Sequence, residues 1–259
     1  MRFDEDTADR LEIVFRGPDI VAQRRHTLGL LAPEPGERVL DIGSGPGFLC
    51  EDIAGLVGPQ GRVRGIDTSA VLVRRAAARN RLPWLDYVEA DATALAEPDR
   101  GYDAIVSTQV AEYVPDTAAF CSEAFRVLRP GGRGVLLATD WDTVAWHSDD
   151  PARTRRVLDG FRPHCAHSAL PRTFAPSLRA AGFDVLRVSC YPIVNTDGSE
   201  ASYSRGSAAL IAAYLRRAAA LPEAEIAAWQ AEFAALGEAG RYYFVTSRIF
   251  FKVRRPGGA

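Results

Sequence analysis

The chain has 259 residues, 47% of them hydrophobic and 25% charged, which suits a globular protein with one large α/β domain. Its formal net charge of −2 provides no positive field, so we expect neither nucleic acid nor a membrane surface as a partner. The acidic start lacks the regions of a signal peptide, and no apolar run approaches the ~18 residues of a membrane span. These features predict a cytoplasmic protein.

The first predicted elements form a βαβ unit. Residues 19–31 have the apolar spacing of a helix, which "APEPGE" ends. The stretch "RVLDIG" then has the pattern of a short buried strand, residues 47–56 that of a helix, and "VRGIDT" that of a second strand. A turn with three alternating glycines, "GSGPG", therefore connects the first strand to its helix.

The alternation of helices and strands continues and then changes. The predicted elements are a helix at 69–81, strands at 85–91 and 102–109, a helix at 116–128, a strand at 134–141, a helix at 173–181, a strand at 183–194, two helices within 201–237 and a last strand at 241–255. This order predicts an α/β fold with a seven-stranded, mostly parallel sheet, helices on both faces and an antiparallel last strand.

Three segments outside this alternation are candidates for lids. Ligands of open α/β sheets bind beyond the carboxyl ends of the strands, where insertions can cover them. We therefore expect a single domain, 1–259, in which residues 1–24, 142–180 and 195–240 are helical lid or substrate-binding insertions.

The cysteines and the lysine limit the chemistry. Cys50, Cys121, Cys165 and Cys190 lie far apart without a CxxC pair, so buried thiols are expected rather than disulfides or a zinc cluster. Lys252 is the one lysine of the chain, which makes a Schiff-base mechanism a poor candidate.

The glycine turn and the acid after it point to an adenosine-containing ligand. Asp67 ends the second strand 20 residues after Gly47, where a carboxylate can accept hydrogen bonds from ribose hydroxyls. The GxGxxG spacing of dinucleotide sites is absent, and Asp41 precedes the turn. A carboxylate there disfavours a pyrophosphate and favours an ammonium, such as that of S-adenosylmethionine.

The motifs resemble those of class I S-adenosylmethionine-dependent methyltransferases of the small-molecule, type 11 sort, which includes ubiquinone-biosynthesis-like and arsenite-methyltransferase-like enzymes. The resemblance covers residues 20–141 through "VLDIGSGPG", "GIDTS", "EADATAL", "YDAIVSTQVAEYVPD" and "VLRPGGR". It implies a Rossmann-like fold and S-adenosylmethionine as cofactor. The four cysteines do not match the converging thiolates of the arsenite branch.

The same resemblance implies roles for individual residues. Asp41 would hold the cofactor's amino group, and Gly43 and Gly45 would let the backbone approach it. The remaining implied cofactor contacts are Asp67 and Thr68 at the ribose and adenine, Asp91 and Ala92 at the adenine, Thr108 and Gln109 at the methionine portion, and Arg25 at the carboxylate. For Arg25 a solvated helix face is an equal alternative.

Methyl transfer mainly requires alignment of a nucleophile, so the catalytic residues carry a weaker sequence signal. We predict His147 as a general base, against the alternative of a surface histidine, and Tyr113 as a substrate contact, against a packing role. Glu112 is expected to brace the following loop. Residues that could line an aromatic pocket, or form core, are Trp141, Trp146, Tyr191 and Tyr203. The group His164, Cys165 and His167 lacks further ligands, so no metal site is predicted.

The sequence thus predicts methyl transfer from S-adenosylmethionine to an oxygen, nitrogen or carbon of a small, secondary metabolite. Two alternatives stay open: a protein that uses bound S-adenosylmethionine for a non-methylating cyclisation or rearrangement, and a cofactor-binding regulatory protein. The expected partner is a small-molecule substrate, with no nucleic acid and no membrane, because the lid segments lack a basic groove with interleaved aromatic residues. The oligomeric state is left open, with a homodimer as one option.

Overall fold

The computed structural model describes residues 5–257, apart from the side chain of residue 6, so the first four residues of the predicted 1–24 lid lie outside the described part. The strands are β1 (Arg38–Ile42), β2 (Arg62–Asp67), β3 (Leu85–Glu89), β4 (Tyr102–Thr108), β5 (Leu128–Trp146), β6 (Asp184–Asn195) and β7 (Phe244–Arg254). The helices are α1 (Glu5–Arg16), α2 (Pro18–Leu31), α3 (Phe48–Val57), α4 (Ala70–Arg79), α5 (Thr117–Val127), α6 (Pro151–Phe161), α7 (Pro171–Ala180), α8 (Tyr203–Arg217) and α9 (Glu223–Glu238), with 3-10 turns at Ala111–Tyr113 and Arg162–His164.

The described strands form one seven-stranded sheet in the order β3-β2-β1-β4-β5-β7-β6. Strands β1 to β5 pair in parallel, and β7 runs antiparallel to both β5 and β6. This arrangement confirms the predicted fold class. Because the strand order reverses direction between β1 and β4, their carboxyl ends open the crevice in which such sheets bind ligands.

The strands alternate their side chains between two apolar cores. In β1, Leu40 and Ile42 point into the core that contains α5 and α7, whereas Val39 points into the core that contains α2 and α3. By the same two-residue period, Asp41 points toward the α3 face. The sheet is therefore covered on both sides, as its apolar strands require.

A third cluster belongs to α1, α6, α8 and α9, which we call the helical cap. Trp229 and Phe233 of α9 are fully buried, and they contact Trp146 at the end of β5. Phe244 at the start of β7 also packs against Trp146. The cap thus rests on the extended ends of β5 and β7.

Two parts of the prediction differ from the structure. Strand β5 continues to Trp146 instead of ending at residue 141, because it pairs with β7 as far as Phe244 after an irregularity past Asp140. Helix α6 lies in a stretch for which no helix was predicted, since its buried side is only Thr154, Val157 and Phe161.

The predicted lid 142–180 divides between two places. Helix α6 belongs to the cap, whereas α7 packs on the sheet with Phe174 and Leu178 fully buried. None of the described helices has the length and apolarity needed to cross a membrane.

Candidate functional site

The glycine turn is fixed against the end of β2. The amides of Gly43 and Ser44 both donate to the carbonyl of Ile66, at 2.8 and 2.7 Å, and the Gly45 amide donates to Asp67 Oδ2 at 2.8 Å. Gly43 and Gly45 have φ angles of +79° and +53°, a region that favours glycine. A Cβ at Gly43 would lie 2.1 Å from a methyl carbon of Val110, whereas one at Gly45 would meet nothing within 4 Å. Gly45 therefore presents bare backbone to open space.

Asp67 combines a structural role with free acceptor capacity. Its Oδ1 accepts from the amide of Ser69 at 2.8 Å, while Oδ2 holds Gly45. Burial raises the pKa of Asp67, and the bonds from the Ser69 and Gly45 amides oppose this shift. Each oxygen keeps a further lone pair, which suits the two hydroxyls of a ribose.

Asp91 and Ala92 follow β3 at the same edge of the sheet. Asp91 Oδ1 accepts from both the amide and the hydroxyl of Thr93 at 2.8 Å, and these bonds lower the pKa of its exposed carboxyl. The ionised side chain is thus held in place at the rim of the site. Ala92 is buried beside it.

A cavity of about 500 Å³ joins these groups to the helical cap. Of the predicted residues, it is lined by Gly43, Gly45, Asp67, Thr68, Asp91, Ala92, Thr108, Gln109 and Tyr113. The cap contributes Leu11, Val14 and Phe15 from α1 and Tyr203, Ser207, Leu210 and Ile211 from α8. The structure therefore brings together most of the predicted site, with a mixed polar and apolar lining.

Asp41, the residue predicted to hold the cofactor's amino group, is not among the residues that line this cavity. It is only 1% exposed, and Cys50 Sγ of α3 donates to its Oδ2 at 3.1 Å. Its Oδ1 has no partner among the described residues. Burial, with the nearby charge of Asp67 as a smaller cause, raises the pKa of Asp41 to about 7. The carboxyl lies beneath the turn, so any effect on a cation in the cavity acts through the backbone above it.

Arg25 and His147, two further residues predicted for the site, also lie outside the lining of the cavity. Arg25 is on the exposed side of α2, while its neighbour Arg24 turns inward to donate to Asp52 at 3.0 Å. His147 is exposed one residue beyond β5, where Nε2 lies 3.2 Å from Arg241 Nη2. A guanidinium only donates, so this ring nitrogen accepts and is already engaged. Continuation of β5 to Trp146 is what carries His147 past the site.

Tyr113 and Glu112 come from the 3-10 turn after β4. Burial raises the pKa of Tyr113 well above its ordinary range, so its hydroxyl in the cavity wall stays protonated. Glu112 is completely buried, and its Oε1 accepts from the Thr139 amide at 3.1 Å. Its backbone carbonyl accepts from the amide of His167 at 2.9 Å. Glu112 thus connects β5 and the segment after α6, rather than the loop that directly follows it.

Two residues at the site were not predicted for it. Arg248 of β7 is fully buried behind the wall, with its guanidinium 4.8 Å from the ring centre of Tyr203. When the Gln109 amide is oriented to match its neighbours, its oxygen accepts from Arg248 Nη1 at 2.7 Å. His164 lines the cavity with Trp141 and Phe161, although sequence reasoning considered it only as a metal ligand. Arg248 reaches the site through contacts distant in sequence, and His164 through packing against Trp141, so no local motif could have identified them.

No metal centre is evident in the described part of the chain, where no three His, Cys, Asp or Glu side chains converge. Nδ1 of His164 lies 2.8 Å from the carbonyl of Phe161, and Nε2 of His167 lies 3.1 Å from that of Pro115. Both histidines are therefore engaged with backbone.

Comparisons with known proteins agree with this geometry. Residues 40–136 match the family described as a methyltransferase domain. Nocamycin O-methyltransferase from Saccharothrix syringae is 31% identical over 63% of this chain and 65% of its own length. The ubiquinone/menaquinone biosynthesis C-methyltransferase UbiE of Serratia proteamaculans is 29% identical over 62% of this chain and 72% of its own. These matches confirm the predicted resemblance.

Solved structures share the fold, and some curated relatives are much longer. The structure of the (4+2)-cyclase SpnF aligns with 92% of this chain and 81% of its own, with a TM-score of 0.61 and 22% identity. The chain spans 40% and 34% of the length of two other curated relatives. It therefore covers less than two thirds of each of these proteins, and it also covers less than two thirds of the nocamycin enzyme.

Proposed function

Since residues 40–136 are a methyltransferase domain, we propose that this protein binds S-adenosylmethionine in its cavity and transfers the methyl group to an oxygen, nitrogen or carbon of a small molecule. The observation that carries the proposal is the bare backbone at Gly45 facing the cavity, with the carboxylate of Asp67 beside it. The acceptor is a secondary metabolite, a choice supported by the similarity to a nocamycin O-methyltransferase.

The residues present fit this cofactor. The open space over Gly45 allows a ligand to approach the backbone, and Asp67 offers acceptors to ribose hydroxyls. Asp91 and the Ala92 amide fit the edge of an adenine, and Thr108 with Gln109 fits the methionine portion. Asp41 favours a cationic amino group above the turn through its negative charge when ionised.

The bound cofactor supplies an activated methyl group on a sulfonium. The task of the protein is alignment and exclusion of water, which can contribute about 7–11 kcal/mol to lowering the barrier. Apolar side chains of α1 and α8 close the cavity opposite the glycine turn. We further propose that the chain is one domain in which the cap binds the acceptor, and that it works in the cytoplasm, where its four free thiols are stable.

Two matched glycine variants test the cofactor site. Gly45 and Gly131 both have positive φ angles, and an added Cβ meets nothing within 4 Å at either position. Alanine at either position must adopt a left-handed backbone conformation, but only Gly45 lines the cavity. We expect Gly45→Ala to lower the affinity for S-adenosylhomocysteine at least about tenfold in calorimetry.

Gly131→Ala, at the opposite end of the sheet, should leave that affinity unchanged. Equal affinities of the two variants and the wild type would reject the assigned cofactor site. Mass spectrometry separates the proposed activity from a cyclase: methyl transfer produces S-adenosylhomocysteine with each product, whereas a cyclisation or rearrangement produces none.

A further inference from the structure

His164 carries a hydrogen-bond acceptor that nothing in the described protein uses. It ends the 3-10 turn after α6 and is 6% exposed. Its Nδ1 lies 2.8 Å from the carbonyl oxygen of Phe161, which can only accept, so Nδ1 carries the proton. In the neutral ring Nε2 then has a free lone pair, and this buried atom has no partner among the described residues.

An aromatic shell keeps this ring neutral and in position. Phe161 stacks on His164 at 3.7 Å between ring centres, while Trp141 and Tyr113 stand nearly perpendicular to it at 4.5 and 5.6 Å. Burial lowers the pKa of His164 to about 4, so Nε2 is available as an acceptor near neutral pH. The ring is fixed by stacking on one face and by the Nδ1 bond at its edge.

Trp141 provides the complementary donor. Its indole Nε1–H is buried and, within the described chain, also has no partner. Trp141, Phe161 and His164 line both the cavity over the glycine turn and a second cavity of about 360 Å³. Unpaired buried polar atoms are costly, so two residues that line the same cavity and carry an unpaired acceptor and an unpaired donor point to a ligand group that satisfies both.

The rest of the lining restricts the charge of that ligand. Among the described residues around the cavity over the glycine turn, none is arginine or lysine; its carboxylates are Asp67 and Asp91, at the expected adenosine end, and Asp116. The part formed by α1, α2 and α8 is largely apolar, through Leu11, Val14, Phe15, Ile20, Leu210 and Ile211. This lining favours a neutral, mostly apolar acceptor.

We propose that His164 and Trp141 bind the hydroxyl group of a neutral, apolar methyl acceptor, with the hydroxyl donating to Nε2 and accepting from Nε1–H, and that His164 receives its proton during O-methylation. The second half rests on the proposed function. As the oxygen–methyl bond forms and the sulfur–methyl bond breaks, the electron pair stays on sulfur and the hydroxyl proton moves to Nε2. The imidazolium later releases that proton to solvent.

A weakly basic histidine is adequate for this step. A hydroxyl oxygen that gains a methyl group becomes strongly acidic, so the proton leaves readily to a nearby lone pair. The position of Nε2 matters more than its basicity, because the Nδ1 bond and the stacking keep the lone pair in place. His164 is thus a candidate catalytic residue, in the role that the sequence predicted for His147.

The test uses 2-naphthol and 2-methoxynaphthalene as probes, which share a ring system and differ in the hydroxyl proton. Their affinities are measured by fluorescence titration of the protein saturated with S-adenosylhomocysteine. We expect 2-naphthol to bind about tenfold more tightly, because the ether cannot donate to Nε2. His164→Phe, which preserves the stacking, should abolish this preference, and Trp141→Phe should weaken it.

His147→Phe is the matched control, since it alters an exposed histidine outside the cavity and should retain the full preference. Failure of 2-naphthol to bind, equal affinity of the two probes, or an unchanged preference in His164→Phe would overturn the hydroxyl site. Melting temperatures and S-adenosylhomocysteine affinities of the variants establish that each is folded. If that cofactor product does not bind, the proposed function fails, yet the same titration without it still decides the hydroxyl site.

The proton-accepting role has its own readout. With S-adenosylmethionine, the wild type should convert 2-naphthol to 2-methoxynaphthalene, and His164→Phe should do so about 10²-fold more slowly. Bound 2-naphthol that remains unmethylated, or an equal rate in the variant, would contradict this role even if the hydroxyl preference holds.

Discussion

Glu112 makes the stability of this protein depend on pH. Its carboxyl is fully buried, and burial raises its pKa from 4.5 to about 7. An acid whose pKa is raised by folding holds its proton more tightly in the folded protein. The contribution of Glu112 to the free energy of unfolding is therefore fully present below pH 4.5 and is lost as the pH rises through 7. Ionisation above that range costs about 3 kcal/mol of folding free energy.

Glu112→Gln removes this dependence, because a glutamine oxygen can still accept from the Thr139 amide without ionising. Between pH 5 and pH 8 the free energy of unfolding should fall by about 2.5 kcal/mol less in the variant than in the wild type. Urea denaturation at both pH values measures this. Asp41 also lowers the free energy of unfolding as the pH rises, because burial raises its pKa to about 7, and it does so equally in the wild type and the variant. Parallel declines in wild type and variant would contradict the account.

At the residue scale, more of the residues predicted for the cofactor than of those predicted for catalysis line the cavity. Glycines and acids at strand ends have roles that depend on local backbone geometry, so Gly45 and Asp67 were identifiable from their spacing. The position of His164 depends on a helix with little apolar signal and on packing against Trp141. His147 had the stronger local case, but the extension of β5 moved it outside the cavity.

At the element scale, the contact between α1 and α8 closes the cavity, and Gly206 permits it. A Cβ on Gly206 would lie 2.6 Å from a methyl carbon of Val14, which itself lines the cavity. Gly206→Val should therefore push α1 away, at a cost of about 1–3 kcal/mol. Hydrogen exchange of the α1 amides should become faster at least about tenfold.

Gly29→Val provides the matched control for this prediction. Gly29 also lies inside a helix, but an added Cβ there meets nothing within 4 Å. Valine has a higher helix propensity than glycine. The change in propensity alone would therefore slow hydrogen exchange of the backbone amides in the substituted helix, for Gly206→Val and for Gly29→Val alike. Unchanged exchange of α1 in Gly206→Val would show that this contact does not hold α1 on the cap.

The elements themselves were predictable where their pattern is periodic. The buried strands β1, β2 and β4 and their helices agree with the predicted order, because apolar runs between turns have few alternative structures. Helix α6 was not predicted, since its sequence buries only three side chains. The division of 142–180 between cap and sheet depends on α7 packing beside β5 and β6, which no local pattern specifies.

At the scale of the whole molecule, the sheet and the helical cap have separate cores, and the cavity lies where they meet. The sheet edge contributes the groups assigned to the cofactor, and the cap contributes the apolar wall assigned to the acceptor. Under the proposed function, the sequence motifs lie on the cofactor side of the cavity, whereas the acceptor side depends on the cap.

A crystal structure of the protein with S-adenosylhomocysteine tests this account most directly. We predict the ribose hydroxyls on Asp67, the adenine beside Asp91 and Ala92, the amino acid portion over Gly45, and the sulfur directed toward the part of the cavity that contains Thr108 and His164. Binding of S-adenosylhomocysteine outside this cavity, or within it with the sulfur turned away from His164, would contradict the account.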